Sequence, residues 1–425
     1  MQRALPPGPT EPRMVQMMQW LSRPVEYALR ARGRYGETFT AHIDARRWVM
    51  LGDPDDVRTV FTAGPERVNA GEANEILRPT LGSHSLLLLD GEDHMRQRKL
   101  MLPAFHGQRV ERYREIMREA TERAVASWPA GEPFALRPHT QAITLEVIMR
   151  AVFGLEDGAR ADGLRGPLQR MLDWAGNPAA MMLVATVGPD HPLVRRILGR
   201  RYVEPVDREL YALIAARRAA PDLEERDDIL STLLLARDEE GRPMSDVELR
   251  DELLTLLVAG HETTATSLAW AVERLLRHPG GLERLAHDSD YTGAVVKEIL
   301  RLRPVVAIVL RRLREPLVVA GRELPAGTTV APCILLVHRR EDLYRHPEEF
   351  RPERFLDKAP GTYGWIPFGG GVRRCLGAAF AQIEMQVVLE TIARSVRLEP
   401  VGEAEGVRRR GVTLVPARGA QVRTA

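Results

Sequence analysis

Lysine is nearly missing from this chain: of 60 basic residues only Lys99, Lys297 and Lys358 are lysine, and the rest are arginine. That bias reflects genome composition as much as stability, and a formal net charge of +2 excludes nucleic-acid binding by bulk electrostatics. Cysteine is scarcer still, with Cys333 and Cys375 alone. Two cysteines in unlike neighbourhoods exclude a disulfide framework, and without a second CxxC there is neither a zinc site nor a ferredoxin cysteine set. No GxGxxG occurs, which excludes an in-chain flavin or nicotinamide module of that type. No apolar run approaches the roughly 18 to 20 residues of a membrane-spanning helix, and no signal peptide precedes LPPGP, so no membrane anchor is expected. Linkers, charge blocks and repeats are also lacking. Residues 1–425 therefore read as a single large domain, with residues 1–14 as an N-terminal lead-in.

Helical periodicity dominates from residue 93 onward: EDHMRQRKLMLPAF, ERYREIMREATERAVASW, TQAITLEVIMRAVFG and VRRILGRRYVEPVDRELYALIAARRAA. Strand-like runs are few and short, namely ETFTAHI, RWVMLG, LVVAGREL and TTVAPCILLV. The expected class is mainly α with small β-sheets. The longest helical pattern starts at a capping box, Ser245 with Glu248, and stops at His278-Pro279-Gly280; a helix of over 30 residues is expected to cross the whole domain.

Chemistry concentrates around the second cysteine, in FGGGVRRCLG, residues 368–377. Cys333, within VAPCILLV, reads as an ordinary core cysteine. Cys375 does not, because apolar core is not flanked by Gly369, Gly370, Gly371, Arg373 and Arg374. The triple glycine lets backbone approach something flat and bulky. The apolar stretch after Cys375 places it at or just before a helix N-terminus, where the helix dipole favours a thiolate. A lone thiolate suits a metal centre other than zinc.

Phe368, Gly371, Arg373, Cys375 and Gly377 reproduce FxxGxRxCxG, and on that motif the chain resembles the cytochrome P450 family, in particular its soluble, bacterial haem-thiolate monooxygenases. Further segments agree. AGHETT, residues 259–264, matches the distal AGxET stretch; the resemblance implies that Ala259 and Gly260 open a groove over the haem, Thr263 hydrogen-bonds dioxygen there, and Glu262 relays protons. Glu298 and Arg301 form ExxR, and with Arg354 of the PERF segment they would brace the cysteine loop. His94 and Arg98, in GxxHxxxRxxxxPAF, would bind the haem propionates together with Arg373. Arg311 is a further candidate, with Arg312 beside it as an alternative. The implied cofactor is haem b with Cys375 as axial ligand and sole metal ligand. Gly369 belongs to the same cradle.

The family's pocket walls correspond to NEILRPTLGSHSLLLLDG, NPAAMMLVATVGPDHP and VVAIVL, all apolar, with Leu86 to Leu89 and Met181-Met182 prominent. No buried Arg or Lys is expected there to grip an acidic head group. The expected substrate is apolar, a terpene or fatty acyl chain, and the N-terminal half also resembles bacterial members linked to terpenes and to fatty acids or alkanes. Electrons would come from a separate ferredoxin or flavodoxin and its NAD(P)H reductase, with Arg96, Lys99, Arg109, Arg112 and Arg374 as a basic docking face. The expected activity is monooxygenation with O2 in the cytoplasm. A peroxide-driven or O2-independent haem enzyme is the second reading, disfavoured by the Glu262-Thr263 pair, and a haem-binding sensor without turnover is the third.

Overall fold

The computed structural model describes residues 5–105, 108–156, 158–177, 180, 183–184, 187–188, 191–357 and 360–425. Helices dominate, and the sheets are small. Strands β1 (Thr38–Ala41), β2 (Trp48–Leu51), β3 (Val68–Asn69), β5 (Arg311–Leu313) and β8 (Thr329–Pro332) form one sheet in the order β1-β2-β8-β5-β3. A second sheet has the order β4-β12-β9, from Phe134–Ala135, Gln421–Thr424 and Leu398–Pro400. Two hairpins complete the set: β6 (Leu317–Val319) with β7 (Arg322–Leu324), and β10 (Val407–Arg410) with β11 (Thr413–Pro416).

The lead-in is tied down by its own backbone. Pro7 accepts the N–H of Thr40 at 3.0 Å and Pro6 accepts its hydroxyl at 2.6 Å, so LPPGP lies along β1 before the first helix begins at Arg13. The run TTVAPCILLV was expected as one strand but ends at Pro332, which supplies no N–H, and Ile334–Val337 make a helical turn. Cys333 lies fully buried between them. Burial pushes its thiol up to about 12, as its role as a core cysteine requires. The long pattern from Val194 is also divided, into Pro192–Leu198, a wide π turn Gly199–Val203 and Glu204–Arg218. Pro205, at the second position of the last piece, cannot donate to the preceding turn, and the ladder loosens there.

The central helix, Asp246–Leu275, is 30 residues long, a little shorter than its sequence pattern. Ser245 and Glu248 form the reciprocal capping box. Twenty of its residues are buried, and it packs on the helices Leu136–Ala151, Glu204–Arg218 and Ala378–Ser395. Leu253, Leu257, Leu268 and Trp270 enter the main core with Met149, Phe153, Leu210 and Val388. No described helix is long and apolar enough to cross a membrane. Replacing Ser245 by Ala removes the cap of this helix and is expected to lower stability by about 1 kcal/mol, read from urea unfolding.

Candidate active site

The loop before Cys375 closes on itself. The Cys375 N–H donates to the Phe368 carbonyl at 2.9 Å, Arg374 N–H to Gly371 at 3.0 Å, and Gly369 N–H to Ile366 at 3.0 Å. Gly377 caps the helix Ala378–Ser395, so Cys375 sits two residues ahead of that cap, as expected. Two of the glycines have a use that the sequence did not suggest. A Cβ on Gly371 would lie 2.1 Å from the Phe61 carbonyl oxygen, and one on Gly370 would lie 2.3 Å from the Phe61 ring. Gly371 also has φ +65°. Two of the three glycines thus admit the helix Pro54–Thr62. Gly369, at φ +66°, faces Val309 only across an ordinary contact, and a Cβ on Gly377 would meet nothing within 4 Å.

Cys375 combines two properties that rarely coincide. Its side chain is exposed, yet surrounding protein desolvates it enough to push the thiol pKa up, against the Gly377 N–H, Arg98 and Arg374, which favour the thiolate. A residue both open and desolvated lines a slot within the protein. Ala259 is also exposed, midway along the mostly buried central helix, and a Cβ on Gly260 would approach only Ile148, at 3.7 Å. The central helix and the helix after Cys375 pack on each other, so both open residues belong to contacting elements.

Around this slot the charges do not balance. His94 and Arg311 are buried, Arg98 and Arg373 partly so, and Asp90 is a carboxylate beside them that pairs with Arg373. Burial, then Arg373, Arg98 and Arg311, push His94 down to about 3. Burial and Arg373 push Arg311 down to about 10, despite Asp90. Arg98 has no hydrogen-bond or ion-pair partner among the described residues, and its charge bears on Cys375. Arg373 donates to the Leu86 carbonyl at 3.0 Å and to the Leu89 carbonyl and Asp90. Asp90 also accepts the N–H groups of Ala70, Gly71 and Glu72 at 2.8, 2.9 and 3.1 Å. Arg312 turns away to Glu72 at 3.5 Å, which leaves Arg311 as the member of this pair that faces the cluster. A surplus of buried cations beside an open thiol fits a cofactor with two carboxylates and a metal.

The distal residues are placed less simply. Thr263 donates its hydroxyl to the Ala259 carbonyl at 2.6 Å, the usual back-bond of a helical threonine. Glu262 accepts from Arg137 Nη2 at 3.0 Å and Gln141 Nε2 at 2.6 Å, so its carboxylate faces the helix Leu136–Ala151. Its neighbour His261 is buried against the Thr144 hydroxyl at 2.8 Å, and burial holds its pKa down to about 4.

Support for the loop is extensive. Glu298 and Arg301 are completely buried and joined at 2.7 and 2.9 Å. Arg301 also donates to the carbonyls of His338, Pro347 and Glu349, and Arg354 reaches Glu298 at 3.2 Å. Three supports had no sequence signal: His338, Tyr344 and Trp365. His338 Nε2 accepts the Ile366 N–H at 2.9 Å while Nδ1 faces the Arg301 carbonyl at 3.2 Å, Tyr344 donates to Gly364, and Trp365 donates to Lys297.

The basic docking face is largely spent. Arg96 pairs with Asp238 and Glu248 at 2.7 and 2.6 Å, Lys99 with Glu239 at 2.6 Å, and Arg112 with Asp227. Arg374 stays exposed, and the Arg109 side chain lies outside the described residues. Met181-Met182 also lie outside them.

Comparison with known proteins gives the class. The cytochrome P450 family model matches residues 6–422. A Mycobacterium tuberculosis chain bearing the name cytochrome P450 135B1 is 44% identical over 432 residues, covering 99% of this chain and 91% of its own. Another from that organism, under the name cytochrome P450 138, is 38% identical over 427 residues, covering 98% and 96%. Among solved structures, a retinoic acid-bound cyanobacterial CYP120A1 superposes with a TM-score of 0.85 at 24% identity, covering 100% of both chains, and a cytochrome P450DA heme domain with 0.86 at 23%, covering 100% and 98%. The chain belongs to the cytochrome P450 family. It is a haem-thiolate monooxygenase, an oxidoreductase whose cofactor is haem b.

Two outcomes test the support network. Arg301→Ala leaves Glu298 charged and buried, and is expected to cost about 3 to 5 kcal/mol in urea unfolding, with loss of bound haem. His338 is neutral in the fold, its pKa held down to about 3 by burial and by Arg301. The unfolded chain protonates this group first, so its contribution is complete above about pH 6.5 and is lost as pH falls toward the folded value. Urea resistance should therefore fall between pH 6.5 and 4, less steeply in His338→Gln.

Proposed function

We propose that this monooxygenase inserts one atom of O2 into an apolar small molecule, a terpene or fatty acyl chain, by hydroxylation or epoxidation. The observation that carries the reading is Cys375, open within a desolvating protein slot beside surplus cations. Cys375 supplies the axial thiolate. His94, Arg98 and Arg311 bind the propionates, and Arg373 joins them while tying down the loop at Asp90. When bound, the haem supplies the activation of O2 with electrons from a redox partner. Everything else falls to side chains.

Ala259 and Gly260 leave room on the distal face, and Thr263 holds a hydroxyl there. Rotating away from the Ala259 carbonyl lets that hydroxyl donate a proton towards the oxygen reactant. Glu262 relays the replacement: on leaving Arg137 and Gln141 its carboxylate takes up a proton from solvent and passes it to the Thr263 oxygen. This pair supports the O2-dependent reading. The pocket side is apolar where it is described: Leu86, Val305 and Ala307 are buried, and Val306 to Leu310 lead into Arg311. A separate ferredoxin or flavodoxin with its NAD(P)H reductase supplies the electrons.

Reduction with dithionite under carbon monoxide is expected to give a strongly red-shifted Soret band that vanishes in Cys375→His. A histidine-type band in the wild type would sink the ligand assignment. In Thr263→Ala, with a reconstituted redox chain, product formation should fall about 100-fold while reducing equivalents appear as hydrogen peroxide. Terpenes or fatty acyl compounds should move the Soret band to the blue, and the absence of any shift across both classes would overturn the substrate reading.

A further inference from the structure

Residues 408–410 are three consecutive arginines on strand β10, a segment outside the walls expected from the sequence. Successive side chains on a strand point to opposite faces, so Arg408 and Arg410 share one side while Arg409 takes the other. Arg409 stacks on Trp20, with its guanidinium carbon 5.5 Å from the ring centroid, and donates to the Gly411 carbonyl at 2.8 Å. With Asp173, Gly176 and Asn177 from the end of helix Ala159–Ala175, these arginines line a cleft of about 370 Å³.

Two features mark this cleft. Two guanidinium groups, Arg408 and Arg410, share its face with a single carboxylate, Asp173, which meets Arg410 at 3.3 Å and is itself 80% exposed. Such a pair is worth little, and Arg408, exposed beside it, has no hydrogen-bond or ion-pair partner among the described residues. The backbone has also been brought unusually close, since a Cβ on Gly176 would lie 2.4 Å from Arg410 Nε.

The strand paired with β10 is in turn bonded to the segment that leads to Arg311 and to the central helix. The turn after β10 carries Val412, 50% exposed, and Thr413 bridges to Val306. Leu414 N–H donates to the Val305 carbonyl at 2.8 Å, and the Leu414 carbonyl accepts from Trp270 of the central helix at 3.1 Å. The apolar run that continues from Val306 ends at Arg311, in the cation cluster. Burial lowers the pKa of Arg137, the partner of Glu262, and the charges of Arg410 and Arg408 act in the same direction.

We propose that this cleft binds the anionic head group of the substrate, so that the enzyme takes acids with an apolar chain, held by the carboxylate at Arg408 and Arg410 while the chain passes Val412 towards Thr263. Arginine is suited to this because its planar fork matches a carboxylate with two parallel hydrogen bonds. The inference rests on the reading of the protein as a monooxygenase of apolar molecules and narrows it from terpene or acyl chain to acid.

The test uses haem-loaded protein and two ligands of one chain length, dodecanoate and dodecan-1-ol, measured by titration calorimetry and by the Soret shift. The wild type should bind the acid at least about tenfold more tightly than the alcohol, the size of one charge-assisted interaction. Arg408→Gln with Arg410→Gln should remove that advantage and leave the alcohol within about twofold. Asp173→Asn, which deletes the competing carboxylate, should tighten the acid alone, by about twofold. Equal binding of acid and alcohol by the wild type would overturn the inference, as would variants that weaken both ligands alike. Binding of terpenes with no binding of dodecanoate would also overturn it while leaving the apolar-substrate reading intact. Failure of every apolar ligand, in protein with the red-shifted carbon monoxide band, would remove both.

Discussion

The buried pair of Glu298 and Arg301 is the constraint on which the rest of the site depends. Neither side chain is exposed at all, and an ion pair in that position must recover a large desolvation cost. It does so through its remaining donors and acceptors. Arg301 satisfies carbonyls at 338, 347 and 349, and Glu298 accepts the backbone N–H of Arg351 as well as Arg354. The pair therefore acts as a hub that gives a structureless stretch of chain one conformation. Through His338 that order passes directly to Ile366 and the turn that presents Cys375.

The cations on the other side of the same loop follow the opposite logic. Where the support network satisfies every charge, the group around His94, Arg98 and Arg311 leaves positive charge in excess, and burial presses all three towards their neutral forms. Such a cluster is costly in the protein alone and becomes favourable when anions enter it. The two regions divide the labour between shape, fixed in advance, and affinity, held in reserve for the cofactor.

How far each feature was legible in the sequence depends on whether its chemistry is local. The cysteine loop, ExxR, the capping box and the long helix carry their information in residues a few positions apart, and their geometry followed. Arg301's carbonyl partners have no side-chain signature, and neither do the roles of His338, Tyr344 and Trp365, because any residue offers a carbonyl or an N–H. Gly370 and Gly371 were visible as glycines, but their reason, the backbone and ring of Phe61, lies three hundred residues upstream in the chain. Pro205 and Pro332 were readable interruptions that the apolar periodicity around them obscured. The three arginines of β10 were plain in the sequence, while the helix end that completes their cleft was not.

The pairing of Arg96, Lys99 and Arg112 with acidic residues of the 227–248 segment has a consequence for electron delivery. A face of free lysines and arginines would draw an acidic donor from several ångströms away, and its encounter rate would fall steeply with added salt. Here each of these cations already has a carboxylate beside it, so the three add little net field on that face. An acidic partner approaching there would gain little from long-range steering, and Arg374 is the exposed cation left to meet it at short range.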